Sequence, residues 1–150
     1  MRVRLTQLEI AGADRRVDFT PGLNIITGPL TTGKTTLLRL CRVLLGTGIE
    51  PGTYPREVRD TVRAISGRLL LGDKTFGIVR PFVSTTTAKV DIAWEGGALR
   101  LPALQPDETA DTTFARWLLT ELGLPELRVP SAPTLPESTP TPVTISDYLA

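Results

Sequence analysis

Residues 28–36 read GPLTTGKTT, and this stretch decides the fold that the sequence predicts. Gly28 to Thr35 fit the pattern G-x-x-x-x-G-K-[ST] without a gap. In that pattern the glycines let successive backbone N–H groups point at phosphate oxygens, and the helix that follows adds its positive N-terminal end. The stretch therefore predicts a loop that binds the phosphates of a nucleotide.

The polar residues of this loop have separate expected roles. Lys34 is expected to reach the β- and γ-phosphates, and it is the one candidate for a catalytic side chain. The Thr35 hydroxyl is expected to bind Mg²⁺, and Thr36 can donate to the α-phosphate. The full predicted nucleotide-binding set is Gly28, Thr31, Thr32, Gly33, Lys34, Thr35 and Thr36.

The sequence on either side of the loop predicts a strand before it and a helix after it. Residues 23–27 (LNIIT) form a short apolar run of the kind found in buried strands. A helix is predicted for residues 34–45, where apolar residues recur at helical spacing and Gly46 provides a natural stop. A strand, a phosphate loop and a helix in this order are the context that the pattern requires.

The rest of the chain predicts mainly antiparallel strands. Residues 2–10 and 17–20 predict two strands, the first with a phase slip between Leu5 and Leu8 in its apolar alternation. Further on, the apolar period changes to two, and GDK and EGG provide the turns of two hairpins within residues 68–101.

Two more helices are predicted around these hairpins. One begins at Pro55 and ends at Gly67, with Val58, Val62 and Ile65 on one face. The other is capped by Asp107 or Asp111, and Gly123 and Pro125 end it. The apolar face of this last helix is made by Phe114, Trp117, Leu118, Leu119 and Leu122.

The composition is that of an ordinary globular domain, and it excludes several kinds of site. The chain has 150 residues, 41% of them hydrophobic, and one cysteine, Cys41, so no internal disulfide can form. It has no histidine, which removes the commonest general base and metal ligand. No apolar run reaches the roughly 18 residues of a membrane span, and no signal-peptide core is visible, so a cytoplasmic location is expected.

The carboxylate needed for nucleotide hydrolysis is hard to place in this sequence. Hydrolysis at such a loop requires an acidic residue after a second apolar strand, to hold Mg²⁺ and orient water. The candidates are Asp91, inside an alternating antiparallel strand that would turn it to solvent, and Asp147, after a Pro-rich segment. We therefore expect the chain to stop before the catalytic half of the site.

The first third of the chain resembles a known family. Residues 3–46, VRLTQLEIAGADRRVDFTPGLNIITGPLTTGKTTLLRLCRVLLG, are similar to the opening of the ABC-type ATPase heads of SMC-like proteins, including RecF- and RecN-like relatives. Leu30, Thr31 and Thr32 depart from the Asn-Gly-Ser or Asn-Gly-Ala usual there, which indicates a divergent branch. The implied fold class is α/β, a P-loop NTPase N-terminal lobe with a strand–loop–helix core and an antiparallel β subdomain of two hairpins.

The resemblance also implies cofactors, partners and a domain organisation. ATP and Mg²⁺ are the implied cofactors, and hydrolysis needs a C-terminal lobe joined through a coiled coil, with two heads enclosing ATP. Residues 1–128 would form the N-terminal lobe, 129–144 a Pro/Ser/Thr-rich linker, and 145–150 the start of a following element. The implied role is in DNA repair, chromosome maintenance or defence, with the isolated 150 residues inactive as an ATPase.

The charge distribution leaves DNA open as a partner, and other functions remain as alternatives. Residues 34–68 carry seven basic and three acidic residues, a net charge of +4 that could face a polyanion. The alternatives are a small self-contained P-loop kinase, an ABC transporter ATPase fragment, and an interaction domain with a vestigial loop. Small kinases alternate strand and helix throughout, whereas residues 68–101 predict one hairpin after another.

Overall fold

The computed structural model of the protein describes residues 3–125, 128–130 and 140–142, and its centre is a six-stranded antiparallel sheet. Across the sheet, the strands lie in the order β2 (Arg15–Asp18), β1 (Val3–Ala11), β3 (Ala64–Leu71), β4 (Lys74–Pro81), β5 (Lys89–Trp94) and β6 (Gly97–Pro102). The described residues also form the helices α1 (Lys34–Leu44), α2 (Arg56–Thr61) and α3 (Phe114–Glu121), with a 3-10 turn at Pro51–Thr53.

One face of the sheet, here called the inner face, carries the hydrophobic core. Buried apolar residues alternate with more exposed ones along β3, β4 and β5, as expected for strands that are covered on one side. Helices α1 and α3 contribute their own buried residues to the same core. The fully buried side chains are Phe114, Leu8, Leu40, Leu44, Ile65, Leu69, Ile78, Ile92, Leu118, Val43 and Val90.

Helix α1, which follows the predicted phosphate loop, approaches the sheet at Gly67. A Cβ atom at Gly67 would lie 2.5 Å from Cδ1 of Leu44 and 2.7 Å from the carbonyl oxygen of Gln7. Only a residue without a side chain leaves room for Leu44 at this point of β3. The position of the helix on the sheet therefore depends on one glycine.

The predicted phase slip in the first strand is confirmed as a β-bulge. Leu5 pairs with Leu69 and Gln7 pairs with Arg68, so Thr6 is the extra residue of β1. Without the bulge, Leu8 would face the opposite side of the sheet from Leu5. With it, Leu8 is fully buried.

The two predicted hairpins are present. In the first, β3 and β4 pair up to Leu71 and Lys74, and the turn is Gly72-Asp73. In the second, β5 and β6 pair up to Trp94 and Gly97, and the turn is Glu95-Gly96. Each turn has two residues, the tightest connection between antiparallel strands.

The predicted fold class, a P-loop NTPase N-terminal lobe, is wrong. Every strand pair in the six-stranded sheet is antiparallel, and residues 23–27 do not join it. The chain leaves the sheet after Phe19, whose N–H donates to the carbonyl oxygen of Thr6, and runs without helix or strand to the start of α1. The strand–loop–helix core is therefore absent from the described residues.

An apolar run such as residues 23–27 forms a strand only where neighbouring strands are free to pair with it. A buried strand needs partners for its backbone groups, and β1 already has β2 on one side and β3 on the other. Four of the five pairings in the sheet join consecutive strands and the fifth joins β1 to β3, so the sheet is built without residues 23–27.

Two predicted helices also need correction. Helix α2 ends at Thr61, and Ile65 belongs to β3 instead of to a helix that continues to Gly67. Helix α3 is capped by Thr113, whose Oγ1 accepts from the backbone N–H of Arg116 at 3.2 Å, and not by either of the predicted aspartates. Asp107 instead accepts from Lys89 and Thr109, and these hydrogen bonds hold the pKa of its carboxyl well below the usual range.

The last part of the chain is described only at two short strands. β7 (Arg128–Pro130) pairs antiparallel with β8 (Pro140–Pro142). The remaining residues of the predicted 129–144 linker, and all of 145–150, lie outside the described residues. Across the part of the chain that is described, no helix has the length and apolarity needed to cross a membrane.

Candidate functional site: the loop before helix α1

The loop before α1 is built on backbone conformations that favour glycine. Gly33, the residue before the first turn of the helix, has φ 79° and ψ 11°, in the left-handed region. Thr31 also has a positive φ, 67°, which is uncommon for a residue with a branched side chain. The positive φ values of Thr31 and Gly33 turn the chain sharply into the helix. The first backbone N–H groups of that helix have no partner within it.

Lys34 makes three hydrogen bonds within the loop. Its Nζ donates to the carbonyl oxygens of Gly28 at 2.8 Å and Pro29 at 2.6 Å, and to Oγ1 of Thr32 at 3.2 Å. The Thr32 hydroxyl in turn donates to the Pro29 carbonyl oxygen at 2.8 Å. The ammonium group thus links the start of the loop, at Gly28 and Pro29, to Thr32, and it places a positive charge between them.

The loop and the first turns of α1 open onto a cleft of about 620 Å³, here called the loop cleft. That volume lies within the range of about 300–1,000 Å³ usual for small-ligand sites. Six of the seven predicted binding residues line it, namely Thr31, Thr32, Gly33, Lys34, Thr35 and Thr36. The seventh, Gly28, does not line the cleft, but its carbonyl oxygen accepts a hydrogen bond from Lys34 Nζ.

The opposite wall of the loop cleft consists of residues that the sequence did not predict. Gly52, Thr53, Tyr54 and Pro55 line it, and Arg39 of α1 reaches across to donate to the carbonyl oxygen of Thr53. The spacing of Thr35 and Arg39 is a signal that could have placed Arg39 here, because residues four apart lie on one face of a helix. Nothing in the local sequence indicates that residues 52–55 would fold back over that face.

Tyr54 anchors this opposite wall to the core. Its side chain is buried and contacts the Phe82 ring edge to face, with centroids 5.1 Å apart. Burial raises the pKa of the Tyr54 hydroxyl, and the nearby Arg39 opposes that shift. Tyr54 therefore supports the wall through packing and stays neutral at physiological pH.

A buried arginine holds the far end of α1. Arg80 is 3% exposed, and its Nη1 donates to the carbonyl oxygen of Val43, near the C-terminus of the helix. Burial lowers the pKa of this guanidinium to about 10, so it still carries its charge at neutral pH. A cation at the negative end of the helix dipole is favourable, and Arg80 thereby fixes the helix that carries Lys34.

Among the described residues, the lining of the loop cleft includes no carboxylate of the kind that hydrolysis requires. None of the described residues that line it is acidic. Asp91 is exposed on the sheet and pairs with Arg100 at 3.2 Å, and Asp147 lies outside the described residues. The described residues also contain no group of three or more acidic or cysteine side chains that could hold a metal ion.

The basic residues of the 34–68 segment do not form one surface. Arg39 and Arg42 are exposed on α1, which covers the inner face of the sheet. Arg68 alternates with the buried Gly67 and Leu69, so it points to the outer face. Arg56 pairs with Asp60 at 3.3 Å on α2. Arg68 therefore lies on the opposite side of the sheet from Arg39 and Arg42.

Large apolar side chains next to the loop are exposed. Leu23, Ile25 and Leu30 are 84%, 74% and 89% exposed, respectively. Asn24 fixes the turn ahead of them, because its side chain accepts from the N–H of Thr20 at 2.9 Å and donates to the carbonyl oxygen of that residue at 2.9 Å. Such a concentration of exposed apolar residues beside a cleft is typical of an interaction surface.

Comparison of the chain with protein-family models, with curated proteins and with solved structures gives no match.

Proposed function

We propose that the protein binds the phosphates of a nucleoside triphosphate, ATP with Mg²⁺, at the loop cleft. The observation that carries the proposal is the position of Lys34, whose ammonium group lies at the centre of the loop, 2.8 Å from the Gly28 carbonyl oxygen. The N-terminus of α1, an 11-residue helix, opens onto the same cleft. A fixed cation, free backbone N–H groups and a helix dipole together favour a phosphate group.

The residues present are chemically suited to the proposed cofactors. Thr35 lies exposed in the first turn of α1 and lines the loop cleft, where its hydroxyl would bind Mg²⁺. Lys34 would bind the β- and γ-phosphates, with Thr36 toward the α-phosphate. The ion would neutralise phosphate charge, and the side chains of this chain would orient the phosphates.

We further propose that the loop forms one half of a hydrolytic site. The lack of a carboxylate among the described lining residues supports this, because a water-activating acid would then come from another segment or subunit. The exposed side chains of Leu23, Ile25 and Leu30 provide an apolar surface beside the loop for such a partner. In the proteins that the sequence resembles, the partner is a C-terminal lobe.

An SMC-like ATPase that acts on DNA in the cytoplasm, with paired heads, is the class that this resemblance names. We propose this activity for the protein, but not the P-loop NTPase fold predicted with it, which is wrong. A fluorescent ATP analogue, titrated with Mg²⁺ into the wild type and Lys34→Ala, tests the proposal. The matched control is Lys74→Ala, which removes an exposed lysine at the start of β4.

The titration tests the phosphate site, and a measurement of ATP hydrolysis tests the half-site. We expect Lys34→Ala to weaken binding at least tenfold, and Lys74→Ala to leave it unchanged. Equal binding by the wild type and Lys34→Ala would show that the loop does not hold the phosphates. Steady ATP hydrolysis by the purified chain would rule out a half-site and favour a self-contained enzyme, such as a small kinase.

A further inference from the structure

Arg39 is the second cation of the loop cleft. It follows Thr35 by four residues, so the two side chains lie on one face of α1, about 6 Å apart along the helix axis. The side chain is exposed, and its Nη1 donates to the Thr53 carbonyl oxygen on the opposite wall. A guanidinium has five N–H donors, so this bond leaves others free for a ligand.

A second cavity of about 180 Å³ continues from the loop cleft along α1. Arg39, Thr53 and Tyr54 line both cavities, so the two adjoin at the Arg39 side chain. Arg42 lines the second cavity, and so does Thr47, whose buried hydroxyl has no hydrogen-bond partner among the described residues. The ligand space therefore extends past Arg39 instead of ending at Thr36.

The charges in the loop cleft suit a polyphosphate, whereas the second cavity is lined by one further cation, Arg42, and one carboxylate, Glu50. Lys34 and Arg39 are the only charged residues among the described lining of the loop cleft, and both are cations. A single lysine leaves most of the charge of a triphosphate uncompensated. Arginine binds phosphate oxygens through two parallel N–H groups, which lysine cannot do.

We propose that Arg39 binds the phosphate chain of the nucleotide, as a second phosphate-binding residue after Lys34. The guanidinium does so with the donors that the Thr53 carbonyl leaves free. It shares the helix face of Thr35, where the β- and γ-phosphates would bind with Mg²⁺, so a nucleotide that lacks these phosphates loses the contact. The inference rests on the proposed function of the loop, and it adds a residue that the loop pattern does not contain.

The test compares ATP, ADP and AMP as probes, each with Mg²⁺, by titration calorimetry. Arg39→Gln removes the charge, and Arg59→Gln is the matched control on the exposed surface of α2. We expect Arg39→Gln to weaken ATP binding about tenfold and AMP binding less than twofold, whereas Arg59→Gln changes neither. A merely structural role of Arg39 would weaken all three nucleotides by the same factor.

The outcomes separate this inference from the proposed function. If Lys34→Ala weakens ATP binding and Arg39→Gln does not, the Arg39 assignment is wrong and the loop assignment stands. If neither variant changes ATP affinity, the proposed function fails as well. If thermal melting shows that Arg39→Gln is unfolded, Arg39→Lys replaces it, with an expected loss of about threefold for ATP and none for AMP. An unchanged ATP affinity of Arg39→Lys would then overturn the proposal.

Discussion

The ammonium nitrogen of Lys34 lies 2.8 Å from the carbonyl oxygen of Gly28, six residues earlier in the chain. Together with its bonds to Pro29 and Thr32, this contact gives each of the three ammonium protons a partner within the loop. An entering phosphate must therefore compete for protons that are already donated. The internal bonds fix the side chain in place, and they reduce the affinity that a free ammonium would offer.

Thr32→Val tests this arrangement directly. The substitution keeps the shape of the side chain, but it removes the hydroxyl that accepts from Lys34 at 3.2 Å and donates to Pro29 at 2.8 Å. We expect ATP affinity to change by less than about fivefold, with the free energy of unfolding within about 0.5 kcal/mol of wild type, because the residue is exposed. Denaturant titration and nucleotide titration measure the two quantities. A loss as large as that of Lys34→Ala would mean that Thr32 itself holds the ligand.

Gly67→Ala is expected to lower the free energy of unfolding by about 1–3 kcal/mol. The added methyl group would meet Cδ1 of Leu44 at 2.5 Å and the backbone of Gln7 at 2.7 Å, so α1 or β1 must shift. Gly77→Ala is the control in the neighbouring strand, since its Cβ would meet nothing closer than 3.8 Å. Equal stability of both variants in urea denaturation would contradict the packing of α1 against β3.

Replacing Leu23 and Ile25 together by serine is expected to leave the free energy of unfolding within about 0.5 kcal/mol of wild type. Both side chains are mostly exposed, so little buried area is lost. Leu69→Ser, in the core, is the control and should destabilise by several kcal/mol. If the apolar surface binds a partner, the double variant should also aggregate less, as measured by light scattering. A strong destabilisation would show that residues 23–27 are packed in solution.

Cys41 is expected to react slowly with alkylating reagents. Burial raises the pKa of its thiol from 9.0 to about 11, so at pH 8 the thiolate fraction falls about 100-fold relative to the unfolded chain. Since the folded pKa is the higher one, the unfolded chain loses its proton first, and stability falls as pH rises from about 9 to 11. Cys41→Ala should remove that part of the pH dependence. Equally fast alkylation in native buffer and in denaturant would contradict the burial.

The two hairpins could be predicted because their signals are local, whereas the pairing of β1 with β3 was not predicted. The turns at Gly72 and Gly96 and the period of two along β4 and β5 are visible in consecutive residues, and so is the bulge near Thr6. The strand predicted at residues 23–27 is absent for a different reason. An apolar run shows that a segment needs a partner, but not whether the chain supplies one.

In the candidate site too, the residues close together in the sequence were predicted and the distant ones were missed. The loop pattern placed Thr31 to Thr36 on one cleft, because these residues adjoin one another in the chain. Arg39 and the wall from Gly52 to Pro55 were missed, since their position depends on how the chain turns back after α1. Arg80 was missed as a support of α1 because its partner, Val43, lies 37 residues away.

Backbone amide chemical shifts of the ¹⁵N-labelled chain during a Mg²⁺–ATP titration test the central claim most directly. Each residue of the loop except Pro29 carries an N–H group, and bound phosphate changes the shielding of the groups that face it. We predict the largest shift changes at residues 30–36, with smaller ones at Arg39 and Thr53. No change in the loop, or changes confined to the outer groove of about 240 Å³ around Glu9, Arg68 and Asp91, would contradict phosphate binding at Lys34.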